Sequence, residues 1–250
     1  MGHKQPQEIT PLEVDRLRLR IMKDKSPQTV KLTLALLRRL KNFGGKRHLC
    51  LSLSFPLEMP KVNNLKTEDQ TPGQLANLLA VLDQATDIQA ANFLRLALVS
   101  GMWRGELLNL KWEDLDFEKG FIHIRNPKSG KDAVIPMNQE ARNVLETHPR
   151  DPNSPYVFPG KNGNRRSEFR RPINRIRQRS GLPPDFRPLH GLRHTYASML
   201  ASSGQVDLYT LRKLLTHRSP TMTQRYAHLR DEALRRAAEL AGPTLLCRCQ

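Results

Sequence analysis

The apolar positions of this chain fall at helical spacing over most of its length, and turn residues break the pattern at intervals. Residues 1–9 are polar and carry no periodicity, so they predict a loose start. Thr10-Pro11-Leu12-Glu13 predicts a helix start, with a threonine cap, proline in the first turn and glutamate in the capping-box position. Leu12, Leu17 and Ile21 follow, with basic residues between them. Ser26-Pro27 predicts a second helix that carries Val30, Leu34, Leu37 and Leu40, runs to about Phe43 and stops at Gly44-Gly45. Two helices bury two apolar stripes poorly by themselves, so this pair predicts part of a helical bundle. Residues 50–70 hold Pro56 and Pro60 and little periodicity, the pattern of an interdomain linker.

Thr71-Pro72 then caps a helix with Leu75, Leu78, Leu79 and Leu82 on one stripe, and a further helix covers about 88–99 and ends at Gly101. Residues 121–124 and 133–136 alternate as two strands paired across a turn at Ser129-Gly130. Asn138 to about Thr147 is a helix, and a loop with four prolines between 149 and 159 follows. Residues 161–180 predict a basic helix with a narrow apolar edge of Phe169, Ile173 and Ile176. From 190 to about Leu240 the chain is mainly helical. The predicted fold is mainly α with a small antiparallel β-sheet. There are no internal repeats.

Charge narrows the choice of partner. Lysine and arginine number 41 against 24 acidic residues, a net charge of +17, which favours a polyanion and nucleic acid first. The stretch 161–180 concentrates this charge, with Lys161, Arg165, Arg166, Arg170, Arg171, Arg175, Arg177 and Arg179 against Glu168 alone. It is suited to lie along phosphates, and nothing in it reads base identity. The three cysteines, Cys50, Cys247 and Cys249, match no disulfide framework or complete zinc site. That usage fits a reducing cytoplasm, and no apolar run approaches a membrane span or a signal peptide.

The chemistry concentrates near the end of the chain. His190-Gly191-Leu192-Arg193-His194 places His190 and Arg193 one turn apart on a helix face, directly after Pro188. That helix start also favours an anion. Arg193 offers a planar fork of donors suited to a phosphate. His190 and His217 can donate hydrogen bonds or move a proton near neutral pH. Ser219-Pro220 starts a short helix that would carry Tyr226 back towards them. A tyrosine hydroxyl is a covalent nucleophile once its proton is removed, so the set holds the parts for phosphoryl transfer through a phosphotyrosine without metal or other cofactor. His194 points elsewhere on this reading and is assigned to structure.

H-x-x-R-H, a leucine-rich helix, then a histidine nine residues before Tyr226-Ala227-His228 resembles the signature of the tyrosine recombinases, the phage integrase family. The resemblance runs from about Thr67 to about Ala238. It implies that residues 67–250 form a tyrosine-recombinase catalytic domain, preceded in 1–66 by a partial helical core-binding region and linker, and that the chain is shortened at its start. It implies site-specific recombination of double-stranded DNA, with Tyr226 as nucleophile and His190, Arg193 and His217 holding the phosphate. Lys128, on the hairpin turn, matches the family's general acid for the 5′-oxygen, and Lys131 its second basic residue. The family assembles as a tetramer on paired sites. This chain is expected to be a monomer without DNA, and residues 231–250, with Ala233, Leu234, Ala237 and Leu240 on one stripe, match the segment that docks on a neighbour.

One motif departs from the pattern. Ser100-Gly101-Met102-Trp103-Arg104-Gly105-Glu106-Leu107 resembles T-G-x-R-x-x-E-L, but Trp103 stands where the first phosphate-binding arginine belongs. Indole has one donor and no charge, so impaired cleavage is expected unless Arg104 turns into the gap. Thr216 stands before His217 where the family usually has glycine. Arg104, Arg165, Arg166, Arg170 and Arg171 remain candidate DNA contacts. A DNA-binding relative that no longer cleaves, or a type IB topoisomerase-like enzyme, are the alternatives.

Overall fold

The computed structural model describes residues 8–50, 55–62, 70–125, 130–230, 235, 238 and 239. The chain divides into two compact units, Met1–Lys66 and Thr67–Gln250.

In the first unit, α1 spans Pro11–Asp24 and α2 spans Pro27–Lys46. Thr10 and Glu13 form the reciprocal capping box, and Ser26 caps α2 from its side chain. The small core is Val14, Val30 and Leu34. Leu12 and Leu40, placed on the packing stripes by sequence, are instead 59% and 60% exposed, and Val14 takes the inward position. The two glycines do not end α2, which runs on to Lys46. At Gly44 an added Cβ would lie 2.5 Å from Cys50 Sγ, so glycine there serves a close approach of the returning chain. The stretch read as a linker is also partly built in, because Phe55, Leu57 and Met59 pack on this core.

The second unit is organised around α4 (Ile88–Ser100), which is buried on nearly every side: Ala90, Phe93, Leu94, Leu96 and Ala97 are all inaccessible. Such a helix must be wrapped, and α3 (Pro72–Asp83), α6 (Gln139–Glu146), α7 (Arg170–Arg179) and α8 (Pro188–Ser202) do so. Phe93 packs edge-on to Phe158 with ring centres 5.0 Å apart. The sheet is antiparallel, ordered β1 (Leu115–Asp116), β2 (Phe121–Ile124), β3 (Ala133–Pro136), with Ile122 opposite Ile135. β1 is too short to signal itself by alternation. The stretch 161–180 is not one helix. Lys161–Gly163 is a 3-10 turn, 164–169 is irregular, and α7 begins only at Arg170. Short helices α9 (Leu208–Leu214) and α10 (Pro220–Gln224) and a 3-10 turn at Ala227–Arg230 complete the described fold. No helix among the described residues is long and apolar enough to cross a membrane.

Candidate active site

Three loops meet at α8. The first leaves α4 through Gly101, whose φ of 63° only glycine adopts readily, and where a Cβ would stand 2.5 Å from the Tyr196 ring. It leads to Trp103, the residue before α5 (Arg104–Asn109). Glu106 Oε2 accepts the Trp103 backbone N–H at 2.8 Å, which fixes the loop. The second loop joins α9 to α10 and carries Thr216 and His217. Thr216 has φ 50°, a left-handed conformation costly for a β-branched residue, and its hydroxyl donates to Glu106 Oε1 at 3.2 Å. The positive φ supplies the physical reason for glycine at this place in the family pattern. The third is the turn after α10: Tyr226 lies just past that helix and not on it.

Arg193 holds the first two loops together from α8. It is 3% exposed and donates from Nη1 to the Gly101 carbonyl and from Nη2 to the Leu215 carbonyl. Its guanidinium carbon sits 4.0 Å from the centre of the Trp103 ring, so the indole covers one face of the fork. Burial brings the Arg193 pKa down to about 10, against the pull of Glu106, and it stays charged at neutral pH. Glu106 is itself raised by burial, offset by the Trp103 N–H and then by Arg193. Trp103 also lies beside both imidazoles, with ring centres 6.3 Å from His190 and 6.4 Å from His217. The three phosphate ligands expected from sequence, His190, Arg193 and His217, are therefore gathered around Trp103, which stands where the family pattern has its first arginine.

Tyr226 is 3% exposed, packed on Ala197, Ala201, Leu211 and Leu215. Its hydroxyl is not buried in apolar surroundings alone, because it lies 2.5 Å from His194 Nδ1. His194 Nε2 is in turn 3.0 Å from His190 Nε2. His194, which the sequence reading turned elsewhere and assigned to structure, is thus the buried imidazole that meets the Tyr226 hydroxyl. Sequence reasoning had only its i+4 spacing from His190 as a signal. His217 Nδ1 lies 2.8 Å from the hydroxyl of buried Thr223. Thr223 was also missed.

Both His194 and His217 are pushed down to about 3, by burial first. His190, Arg225, Arg193 and Arg187 then act on His194, and Arg193, Arg225 and His194 on His217. Both rings are neutral in the folded state at pH 7. The unfolded imidazoles take up protons near pH 6.5, so stability is complete above that value and is lost as pH falls towards 3. For His194 the slope approaches about 1.4 kcal/mol per pH unit. The expected result is a clearly lower urea midpoint at pH 5.0 than at pH 7.5, with a shallower dependence in His194→Gln. A midpoint that does not move would contradict the burial of neutral imidazoles.

The remaining candidates separate. Arg104 is exposed at the start of α5 and borders, with Arg170, Arg187 and His190, a pocket of about 570 Å³. Arg165 donates to Asn109 Oδ1. Arg170 and Arg171 are exposed on α7, and Lys131 is exposed beside the hairpin. Arg166 is turned into the fold: it donates to the Pro159 carbonyl and to Gln89 Oε1, both at 2.9 Å, and lies 4.1 Å over the Phe169 ring. Arg166→Ala is therefore expected to lower stability by about 1–3 kcal/mol, against less than about 0.5 kcal/mol for Arg170→Ala in a urea titration. Lys128 and the stripe Ala233, Leu234, Ala237 and Leu240 lie outside the described residues.

A model of the Phage integrase family matches residues 68–233, which include Trp103, His190, Arg193, His194, His217 and Tyr226. The chain belongs to the phage integrase family. Tyrosine recombinase XerA of Pyrococcus horikoshii is 32% identical over 194 residues, covering 74% of this chain and 65% of the relative. Tyrosine recombinase XerC of Xanthomonas campestris pv. campestris is 36% identical over 157 residues, 60% of this chain and 47% of the relative. This chain thus spans between about half and two thirds of the length of these relatives. Among solved structures, XerA recombinase superposes with a TM-score of 0.57 at 25% identity, over 97% of this chain and 87% of the other. The Tn1549 transposon integrase in complex with circular intermediate DNA superposes with a TM-score of 0.75 at 21% identity, over 95% and 87%. The mainly helical fold with a small antiparallel sheet, expected from sequence, is the fold of the integrase family.

Proposed function

We propose that this chain is a site-specific DNA recombinase that cleaves and rejoins double-stranded DNA through a 3′-phosphotyrosine on Tyr226. The observation that carries the reading is that the Tyr226 hydroxyl sits on the same helix motif, at His194, that presents Arg193 and His190. In this reading Arg193, His190 and His217 bind the scissile phosphate. Neutral His217 accepts the Thr223 hydroxyl at Nδ1 and keeps its Nε2 proton for a phosphate oxygen. Lys128 protonates the 5′-oxygen, and a 5′-hydroxyl of another strand reverses the step. Energy is kept in the phosphotyrosine bond, so the reaction needs no cofactor. Tyr226 is covered in this state, so the groups that cover it draw back when DNA is seated while its hydroxyl stays at His194.

Arg104, Lys131, Arg165, Arg170 and Arg171 follow the DNA backbone. Residues 1–66 act as a core-binding region and 67–250 as the catalytic domain. Four copies assemble on paired sites through residues 231–250. Because Trp103 replaces a charged phosphate ligand, cleavage is slow. That same residue favours the second reading, a DNA-binding relative that does not cleave.

The test incubates the chain with nicked duplexes of randomised core sequence, recovers covalent adducts and sequences them. The recombinase reading predicts recovered adducts that share a site and are absent with Tyr226→Phe. No adduct from either the native chain or Trp103→Arg would leave the non-cleaving reading. DNA contact is tested by salt titration: neutralising Arg170 and Arg171 together should reduce the slope of log K against log salt by about 2.

A further inference from the structure

We propose that His194 is a catalytic residue of this site, taking the proton from the Tyr226 hydroxyl as that oxygen attacks phosphorus, with His190 as the second imidazole in line. The inference rests on the phosphotyrosine reading above and deepens it by naming the base. The geometry is specific. Tyr226 Oη lies 2.5 Å from His194 Nδ1, and His194 Nε2 lies 3.0 Å from His190 Nε2. A neutral imidazole has one donor and one acceptor. With the phenol donating to Nδ1, the His194 proton sits on Nε2 and is donated to His190. The three groups then form one directed line from the nucleophile to the start of α8.

The step balances as follows. Tyr226 Oη forms its bond to phosphorus and its proton passes to His194 Nδ1. The bond from phosphorus to the 5′-oxygen breaks, and that oxygen leaves with the electron pair and takes a proton from an ammonium group, Lys128 in the reading above, or from water. On rejoining, the 5′-hydroxyl attacks, its proton goes back to that donor, and the His194 imidazolium returns its proton to the departing phenolate.

The charges around the ring explain when this occurs. On its own helix His194 faces His190, Arg193 and Arg187. From the turn after α10 it faces Arg225, whose Nη1 is 3.4 Å from Nε2, and Tyr226 itself; from the loop before α10 it faces His217. Without DNA burial, and then the positive charges among these neighbours, hold His194 down to about 3, far too low for an efficient base. A phosphodiester among Arg193, His190 and His217 adds negative charge to the same cluster and offsets the cations. Basicity at His194 then rises only when the scissile phosphate is in place, so substrate binding activates the nucleophile.

The experiment has two arms on the full chain. The first uses imidazole nitrogen NMR of the DNA-free protein and needs no cleavage. The proposal expects the Nε2-protonated tautomer for His194, with the Nδ1 resonance moving in Tyr226→Phe. A His194 protonated at Nδ1, with Nε2 accepting from Arg225 or His190, overturns it. The second arm measures adduct formation on a nicked duplex recovered as above, in whichever of the native chain and Trp103→Arg cleaves faster. His194→Ala and His194→Gln should each be slowed by about 10²-fold or more, with the rate climbing as pH is raised and with added imidazole restoring His194→Ala. A 5′-bridging sulfur in place of oxygen, which leaves without a proton, should not rescue either variant. Either variant as fast as its parent, or a slow variant with an unchanged pH profile and no imidazole rescue, overturns the base role. Absence of adduct in both parents sinks the recombinase reading itself, which the first arm keeps distinct.

Discussion

Trp103→Arg is expected to raise the rate of covalent adduct formation by about 10²-fold or more, the scale set by one preorganised donor on a phosphate in its transition state. Trp103 lies over the Arg193 fork at 4.0 Å and beside both imidazoles, so its side chain already stands among the proposed phosphate ligands. Glu106 holds the backbone of residue 103 through its N–H whatever side chain is present. An arginine there would point to the same place and add charge and a second bidentate fork. The same change removes a cation–π contact and brings two guanidinium groups together, so the variant should be less stable without DNA and gain stability on binding it. Equal and brisk cleavage by both chains would show that Arg104, on the neighbouring pocket, already supplies the charge.

The second large effect concerns Arg193. In the DNA-free fold its guanidinium ties the Gly101 carbonyl to the Leu215 carbonyl and faces Glu106, all in buried surroundings. Arg193→Ala removes the donor to both carbonyls and leaves Glu106 without its nearest cation. The expected cost is about 3–5 kcal/mol of stability in addition to loss of adduct, because uncompensated buried polar groups are expensive. Arg104→Ala, at an exposed residue, should change stability by less than about 0.5 kcal/mol. Thermal melts of the two variants make the comparison. If Arg193→Ala melts like the native chain, the arginine is not the tie between the loops.

Local signals carried the architecture further than the site. Thr10, Thr71 and Asn138 cap helices where the sequence placed them, because a cap is decided within four residues. Gly101 ends α4 for the same reason. Gly44 misled, since the determinant there is the approach of Cys50, a packing fact and not a backbone preference. Arg166 and Arg170 look alike in sequence, yet Gln89, 77 residues away, turns the first inward. The substitution at position 103 was visible from the motif. Its stacking on Arg193, 90 residues later, was not.

His194 shows the limit most clearly. Its spacing from His190 is a feature of one helix and was legible. Its bond to Tyr226 depends on how the turn after α10 returns to α8, which no local pattern encodes. The same holds for Glu106, which holds Trp103 three residues before it and Thr216 110 positions after it. Chemistry was therefore readable as a set of residue types, while their pairing required the fold.

The most direct measurement is mass spectrometry of the protease-digested adduct between this chain, or Trp103→Arg, and a nicked duplex. The account predicts a nucleotide attached to the peptide that carries Tyr226, through a 3′-phosphate, and no such peptide from Tyr226→Phe. A nucleotide on any other residue, or an adduct that survives Tyr226→Phe, would contradict it.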